Sequence, residues 1–171
     1  MDHRFALLAM LLPAALGAQQ DAGVVQSASL VEAACIVERV VDGDTFRCAD
    51  GERVRLLLID APESQQEDYG LRAKLALEEL VAVGDTVRLE PDVEPRDRYG
   101  RLLAYVWADT LLVNEELLRR GYAVVAVYPP NVRRVERFRA AAAEARQRER
   151  GLWATPAFDC LPADFRRRVC R

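Results

Sequence analysis

The stretch Arg55-Leu56-Leu57-Leu58-Ile59-Asp60-Ala61-Pro62-Glu63 runs from a cation, through four large apolar residues, to two carboxylates flanking a proline. Together with Arg53 and Val54 it reads as a strand, Arg53 to Ile59, nearly continuous in apolar side chains. Pro62 stops it, because the residue before a proline is extended and proline cannot donate to a ladder. Arg55 and Asp60 have opposite parity, so one regular strand would point them to opposite faces. If both serve one site, the strand must bulge, twist or end before Asp60.

Two hairpin signals precede this strand. Cys35 to Val41 reads as a first strand, Asp42-Gly43 as a turn, Asp44 to Cys48 as a second strand, and Asp50-Gly51 as the next turn. After it, Tyr69 to Val83 has helical spacing with Leu71, Leu75, Ala76 and Leu80 on one face, closed by Gly84. Thr86 to Glu90 and Arg101 to Trp107 are further strands, joined by a polar loop from Pro91 to Gly100. Asn114 is placed to cap a short helix, Glu115 to Arg120, ended by Gly121. Tyr122 to Val127 reads as one more short strand. Arg133 to Arg150 reads as a long helix with Val135, Phe138, Ala142 and Ala145 turned inward. Five short strands interrupted by about three helices predict an α+β, mainly β fold: a five-stranded OB-fold Greek-key barrel. An unclassified α+β sheet is the alternative.

The chain has 171 residues, enough for one domain with a real core, and is 51% hydrophobic and 30% charged. Its formal net charge of −3 does not mark a bulk polyanion binder, so such a function must rest on local patches. The seven arginines of residues 133–150 read as a solvated helix face, and the last nine residues, with four Arg and one Asp, as a basic tail. The one histidine is His3. It lies in residues 1–18, which read as a signal peptide: Arg4, an apolar run from Phe5 to Leu12, then Pro13 and small residues to Ala18. Residues 19–34 then form a flexible lead-in, 35–154 the folded domain, and 155–171 a cysteine-containing tail. A mature chain without histidine excludes triads, Cys-His dyads and His-ligated zinc. Export, to a secreted or periplasmic location, agrees with four cysteines, Cys35, Cys48, Cys160 and Cys170, none in a C-x-x-C. Of three possible pairings, 35–48 with 160–170 is favoured, because Cys35 and Cys48 lie on neighbouring strands. No apolar run is long enough for a membrane span.

Three clusters carry chemistry jointly: Val41-Asp42-Gly43-Asp44-Thr45, the stretch Arg55 to Glu63, and Asp97-Arg98-Tyr99-Gly100-Arg101. Each alone reads as a turn or a strand end. Together, Asp44 and Asp60 offer carboxylates and Ala61 a backbone carbonyl to a hard cation such as Ca²⁺. Glu63 can deprotonate a water, and Arg55 and Arg101 can grip phosphate oxygens through planar forks.

These clusters, with Leu103-Ala104-Tyr105-Val106, Val113-Asn114-Glu115-Glu116-Leu117-Leu118 and Gly151-Leu152-Trp153, occur in order from Ile36 to Trp153. In this the chain resembles the staphylococcal nuclease (thermonuclease) family. The resemblance implies an OB-fold barrel with three helices and Ca²⁺-dependent hydrolysis of DNA and RNA to 3′-phosphorylated products. It implies Asp44, Asp60 and the Ala61 carbonyl as Ca²⁺ ligands, Glu63 as the base, and Arg55 and Arg101 as catalytic phosphate clamps. It implies Arg98 and Tyr99 at the substrate's terminal phosphate and Tyr128 at a base. Ala61 stands where the best-known members have Thr, and Ser64 to Asp68 is short and acidic where some carry a longer basic loop. The expected partners are DNA and RNA, single strands preferred, on a monomeric enzyme. A catalytically weak binding module for nucleic acid or protein, and an exported Ca²⁺-binding structural domain, are the competing readings.

Overall fold

The computed structural model describes residues 33–170. The segments read as signal peptide and most of the lead-in therefore lie outside the described residues. The strands are β1 (Ala33–Val40), β2 (Thr45–Cys48), β3 (Arg53–Leu56), β4 (Ile59–Asp60), β5 (Thr86–Glu90), β6 (Leu102–Ala108), β7 (Leu111–Leu112) and β8 (Val124–Val125). The helices are α1 (Tyr69–Leu80), α2 (Val113–Arg120), α3 (Val135–Gln147) and α4 (Pro162–Arg166), with 3₁₀ turns at Gly151–Ala154 and Pro156–Phe158.

Strand order is β3-β2-β1-β5-β6, and a parallel pairing of β3 with β6 closes the ring. This is the five-stranded barrel of the OB fold. Closure removes the sheet edges and encloses Val37, Phe46, Val54, Leu56 and Val106, each at most 1% exposed. Helices α2 and α3 pack on one side through Leu117, Leu118 and Phe138, the last standing edge-on to Tyr105 with ring centroids 5.9 Å apart. Among the described residues no helix is long and apolar enough to cross a membrane.

Several boundaries differ from the sequence reading, each for a physical reason. The first strand begins two residues into the expected lead-in, because Ala33 and Ala34 pair with Leu89 and Arg88. The expected third strand is two. It stops at Leu56, turns at Leu57-Leu58 with Leu58 at φ 63°, and resumes as β4 paired with β8. A fourth helix, α4, lies in the tail. On α1 the inward face is Gly70, Ala73, Ala76, Leu77 and Leu80, while Leu71 and Leu75 are exposed. The helix packs on its small side, where a chain crosses close to it. On α3 the inward residues are Val135, Phe138, Ala141 and Ala145.

Asn114 does not cap α2, whose N-cap is Leu112. Fully buried, it ties the barrel together instead. Its Nδ2 donates to the carbonyls of Leu57 (3.0 Å) and Ala104 (3.2 Å), and its Oδ1 accepts from the Val106 N–H (2.8 Å). It thus holds the β3–β4 turn against β6.

The disulfides pair as favoured. Cys35–Cys48 crosses β1 to β2, and Cys160–Cys170 closes a loop around α4.

Asn114→Ala strands the Leu57 carbonyl and the Val106 N–H without partners in the core. Buried unpaired groups cost about 1–3 kcal/mol each. The variant is expected to lose about 2–4 kcal/mol in urea unfolding, whereas a loss under about 0.5 kcal/mol would mean the amide is not a structural tie.

Candidate active site

The break at Leu57-Leu58 is what makes a site. The turn carries Asp60 back to the side from which Arg55 projects, which removes the parity conflict. The Arg55 guanidinium then fills the opening. Its Nη1 donates to the carbonyls of Leu56 (2.6 Å) and Ile59 (2.8 Å), its Nε lies 2.9 Å from Asp44 Oδ1, and its Nη2 is 3.1 Å from Asp60 Oδ1. One planar cation bridges two buried carboxylates and two carbonyls of the turn, which a lysine ammonium cannot do.

Asp44 enters from the loop between β1 and β2. Its Oδ2 accepts from the Ala61 N–H at 2.9 Å and its Oδ1 from the Thr45 hydroxyl at 3.0 Å. The approach depends on Gly43, where a Cβ would fall 2.6 Å from the Ala61 Cβ and 2.7 Å from that of Ala73. Burial pushes the Asp44 carboxyl above the usual carboxylate range, against the opposing pull of Arg55.

Glu63 follows the proline. Its N–H donates to Gln66 Oε1 at 2.9 Å, and its carbonyl lies against Gly70 of α1, where a Cβ would come within 2.2 Å. The small first turn of α1 therefore sets the height of the Glu63 loop.

Asp97 shapes the opposite wall. Its Oδ1 accepts from the N–H groups of Tyr99 (2.9 Å) and Arg101 (3.0 Å), and its Oδ2 lies 2.7 Å from Arg101 Nε. Arg101 and Arg98 both lie over the exposed Tyr99 ring, 5.6 and 4.8 Å from its centroid. Burial disfavours the Asp97 charge, but the Arg101 side chain and the two backbone donors outweigh it. The carboxyl is held below its ordinary value.

These walls meet around a cavity of about 830 Å³ lined by Asp44, Arg55, Ala61, Glu63, Arg98, Tyr99 and Arg101, among others. Asp60, 2% exposed, lies beneath Arg55 rather than on the cavity surface. Tyr128 does not line the cavity. It stands exposed on the loop after β8, bridged to Asn131.

The arginine-rich helix does face solvent, as its sequence suggests, with Arg133, Arg137, Arg139, Arg146 and Arg148 exposed. All seven arginines of residues 133–150 have partners. Arg133 and Arg134 meet Glu90, Arg137 meets Glu115, Arg139 meets Glu136, Arg146 covers Trp153, and Arg148 and Arg150 meet Glu144. From the tail, Arg166 enters the site itself. Its Nη1 and Nη2 lie 3.0 and 2.8 Å from the two Asp60 oxygens, and Nη1 lies 2.5 Å from Glu63 Oε1. The hydrogen bonds to Asp60, and then to Glu63, hold its guanidinium still more firmly protonated. Arg166 was legible only as one of a run of tail arginines. Gln66, whose Nε2 donates to the Cys160 carbonyl at 3.0 Å, gave no signal in the sequence.

A family model described as "Staphylococcal nuclease homologue" matches residues 53–155. The chain is also 36% identical over 126 residues to the thermonuclease of Staphylococcus intermedius, covering 69% of this chain and 74% of that protein. The chain belongs to the staphylococcal nuclease family. Two longer relatives come from Bacillus subtilis (strain 168). Endonuclease YncB is 39% identical over 132 residues, covering 71% of this chain and 62% of that protein. The SPbeta prophage-derived endonuclease YokF is 40% identical over 128 residues, covering 69% and 43%. The match to the family model ends at residue 155, before α4 and Arg166.

The Asp97 geometry has a pH consequence. Because its folded value is depressed, the ordering of this turn stabilises the protein above the ordinary aspartate value, about 3.9. That stability is lost as pH falls through the lower folded value. A ¹³C titration of the Asp97 carboxyl is expected to have a midpoint below the ordinary value that rises in Arg101→Gln. A midpoint at or above the ordinary value would contradict the arrangement.

Proposed function

We propose that this family member is an exported, Ca²⁺-dependent nuclease. It hydrolyses phosphodiester bonds of DNA and RNA, leaving 3′-phosphorylated products, and acts as a monomer with a preference for single strands. The observation that carries this reading is the convergence of Glu63, Arg55 and Arg101 on one cavity backed by two buried carboxylates. Relatives named thermonuclease and endonuclease support the nuclease class. Two disulfides fit an oxidising compartment.

The donor set fits a hard cation. Asp44 and Asp60 are buried carboxylates brought together by one arginine, and Ala61, next to Asp60 and bonded through its N–H to Asp44, would add a backbone carbonyl. Among the described residues no group of three or more His, Cys, Asp or Glu forms a metal cluster. Two carboxylates and a carbonyl with water completing the shell is a set for Ca²⁺ rather than zinc. When bound, the cation supplies positive charge beside a phosphoryl oxygen.

The rest is the work of the protein's own groups. Arg101 through its Nη groups, and Arg55 through its remaining Nη2 donor, contact the non-bridging phosphate oxygens with donors that stay in place as negative charge builds up. Glu63 accepts the proton of the attacking water as its oxygen bonds to phosphorus. The bond from phosphorus to the 5′-oxygen breaks, and the departing oxygen, facing Arg101, takes a proton from solvent water. Arg98 and Tyr99 sit at the cavity mouth for a terminal phosphate. A phosphate bound this deeply is reached most easily from a splayed strand, and the exposed Tyr128 ring offers a stacking surface for a base outside the cavity.

Glu63→Gln keeps the shape of the loop, since its backbone holds Gln66, but cannot accept a proton. A positioned base contributes roughly 10²–10⁴-fold. The variant is expected to lose that factor in cleavage of single-stranded DNA with Ca²⁺ while retaining oligonucleotide binding. The wild type is expected to stop with EDTA. Near-normal turnover by the variant would remove Glu63 from the mechanism. Binding without cleavage by the wild type would favour the binding-module reading.

A further inference from the structure

One wall of the cavity comes from beyond the segment matched to the family. After the 3₁₀ turn Pro156–Phe158, the chain forms α4, and the Cys160–Cys170 bond closes the loop that contains it. Gln66 fastens this loop to the base's own loop, accepting from the Glu63 N–H at 2.9 Å and donating to the Cys160 carbonyl at 3.0 Å. Phe158 packs against Trp153 with ring centroids 4.4 Å apart, anchoring the approach to α4. The last residue of α4, Arg166, is thereby delivered to Asp60 and Glu63.

The charges explain why it settles there. Asp44, Asp60 and Glu63 carry three negative charges at the back of the site, and Arg55 supplies one positive charge to the first two. Arg166 supplies a second, with both nitrogens on the two Asp60 oxygens and one also on Glu63. Asp60 is 2% exposed under these two guanidiniums. A buried carboxylate without a counter-ion is costly, so one is always needed. The same oxygens cannot serve the guanidinium and a cation's inner shell together.

We propose that the disulfide-closed tail is a built-in counter-ion that competes with the divalent cation for Asp60 while also holding Glu63. Cation binding and withdrawal of Arg166 are then one event, and the tail sets the cation concentration at which the site loads. This rests on the reading of Asp44 and Asp60 as the cation's ligands. The disulfide keeps Arg166 near the site, so the competition is intramolecular and acts at any protein concentration. Loosening the loop weakens the competitor.

The test is calorimetric titration of the substrate-free full mature chain with Ca²⁺ at fixed ionic strength. Folding of each variant is checked by thermal unfolding. Arg166→Gln is expected to bind Ca²⁺ about tenfold or more tightly than wild type, since charge-assisted bonds of this kind are lost to the competitor. Arg166→Lys, which keeps the charge and loses the two-pronged grip, is expected to fall between. Arg167→Gln removes an equal charge from the same cavity wall, but that residue pairs with Asp164 and not with the site. It is expected to change affinity less than about twofold. The Cys160→Ser, Cys170→Ser double variant is expected to move toward Arg166→Gln. Asp60→Asn separates the two levels. If it abolishes Ca²⁺ binding while Arg166→Gln leaves affinity unchanged or weaker, the tail is no competitor and the cation reading stands. Equal effects of Arg166→Gln and Arg167→Gln would reduce the contact to general charge and overturn the proposal. Intact Ca²⁺ binding in Asp60→Asn would overturn the cation reading and the proposal with it.

Discussion

The Arg55 guanidinium is the interaction on which the rest of the structure depends. It accounts for both a break in the barrel wall and the charge of the site. Two of its bonds cap the Leu56 and Ile59 carbonyls, left exposed where the ladder stops, and two more hold Asp44 and Asp60 side by side. Without a planar, multiply donating cation at this point, the turn through Leu58 at φ 63° would have unpaired carbonyls. Two buried carboxylates would also repel each other. The residue expected to grip phosphate is therefore also the residue that builds the site. Loss of Arg55 would combine a folding defect with a chemical one.

The barrel's closure places the other arm. The parallel pairing of β3 with β6 sets Arg55 opposite Leu103, so the turn that leads into β6 carries Arg101 to the same mouth. Asp97 fixes that turn from within by accepting from two backbone N–H groups and the Arg101 side chain. The candidate site groups are thus held in place by their neighbours. Arg101 is held by Asp97, the Glu63 backbone by Gln66 and Gly70, and Asp44 by the Ala61 N–H and the space at Gly43. That support keeps the cavity preformed, as electrostatic stabilisation of a charged transition state requires.

Much of this was legible in the sequence, and the exceptions share a cause. The five barrel strands, the hairpins and the cysteine pairing followed from local alternation, turn residues and neighbouring strands. Motif order nominated the candidate site residues, and the fold brings Asp44, Arg55, Glu63, Arg98, Tyr99 and Arg101 to one cavity. The division of Arg53 to Ile59 into two strands was not legible, because an unbroken apolar run has no period to interrupt. What breaks it is a side chain, Arg55, together with Asn114 from a distant helix. Asn114 itself looked like a cap because it preceded a helix, yet its amide serves the barrel. The face of α1 was misassigned toward its larger residues, Leu71 and Leu75, since only tertiary contact shows that the small side is the one approached. Arg166 was hidden most completely. It meets Asp60 across 106 residues, and a run of arginines near a terminus ordinarily faces water.

The central claim is that Arg55 gathers Asp44 and Asp60 into one cation site that Arg166 covers when no cation is bound. A crystal structure of the protein grown with Ca²⁺ tests it most directly. The account predicts an ion bonded to Asp44 and Asp60, the carbonyl of Ala61 in its shell, and the Arg166 guanidinium withdrawn from Asp60. An ion bound elsewhere, with the Arg166 pair to Asp60 and Glu63 intact, would contradict it.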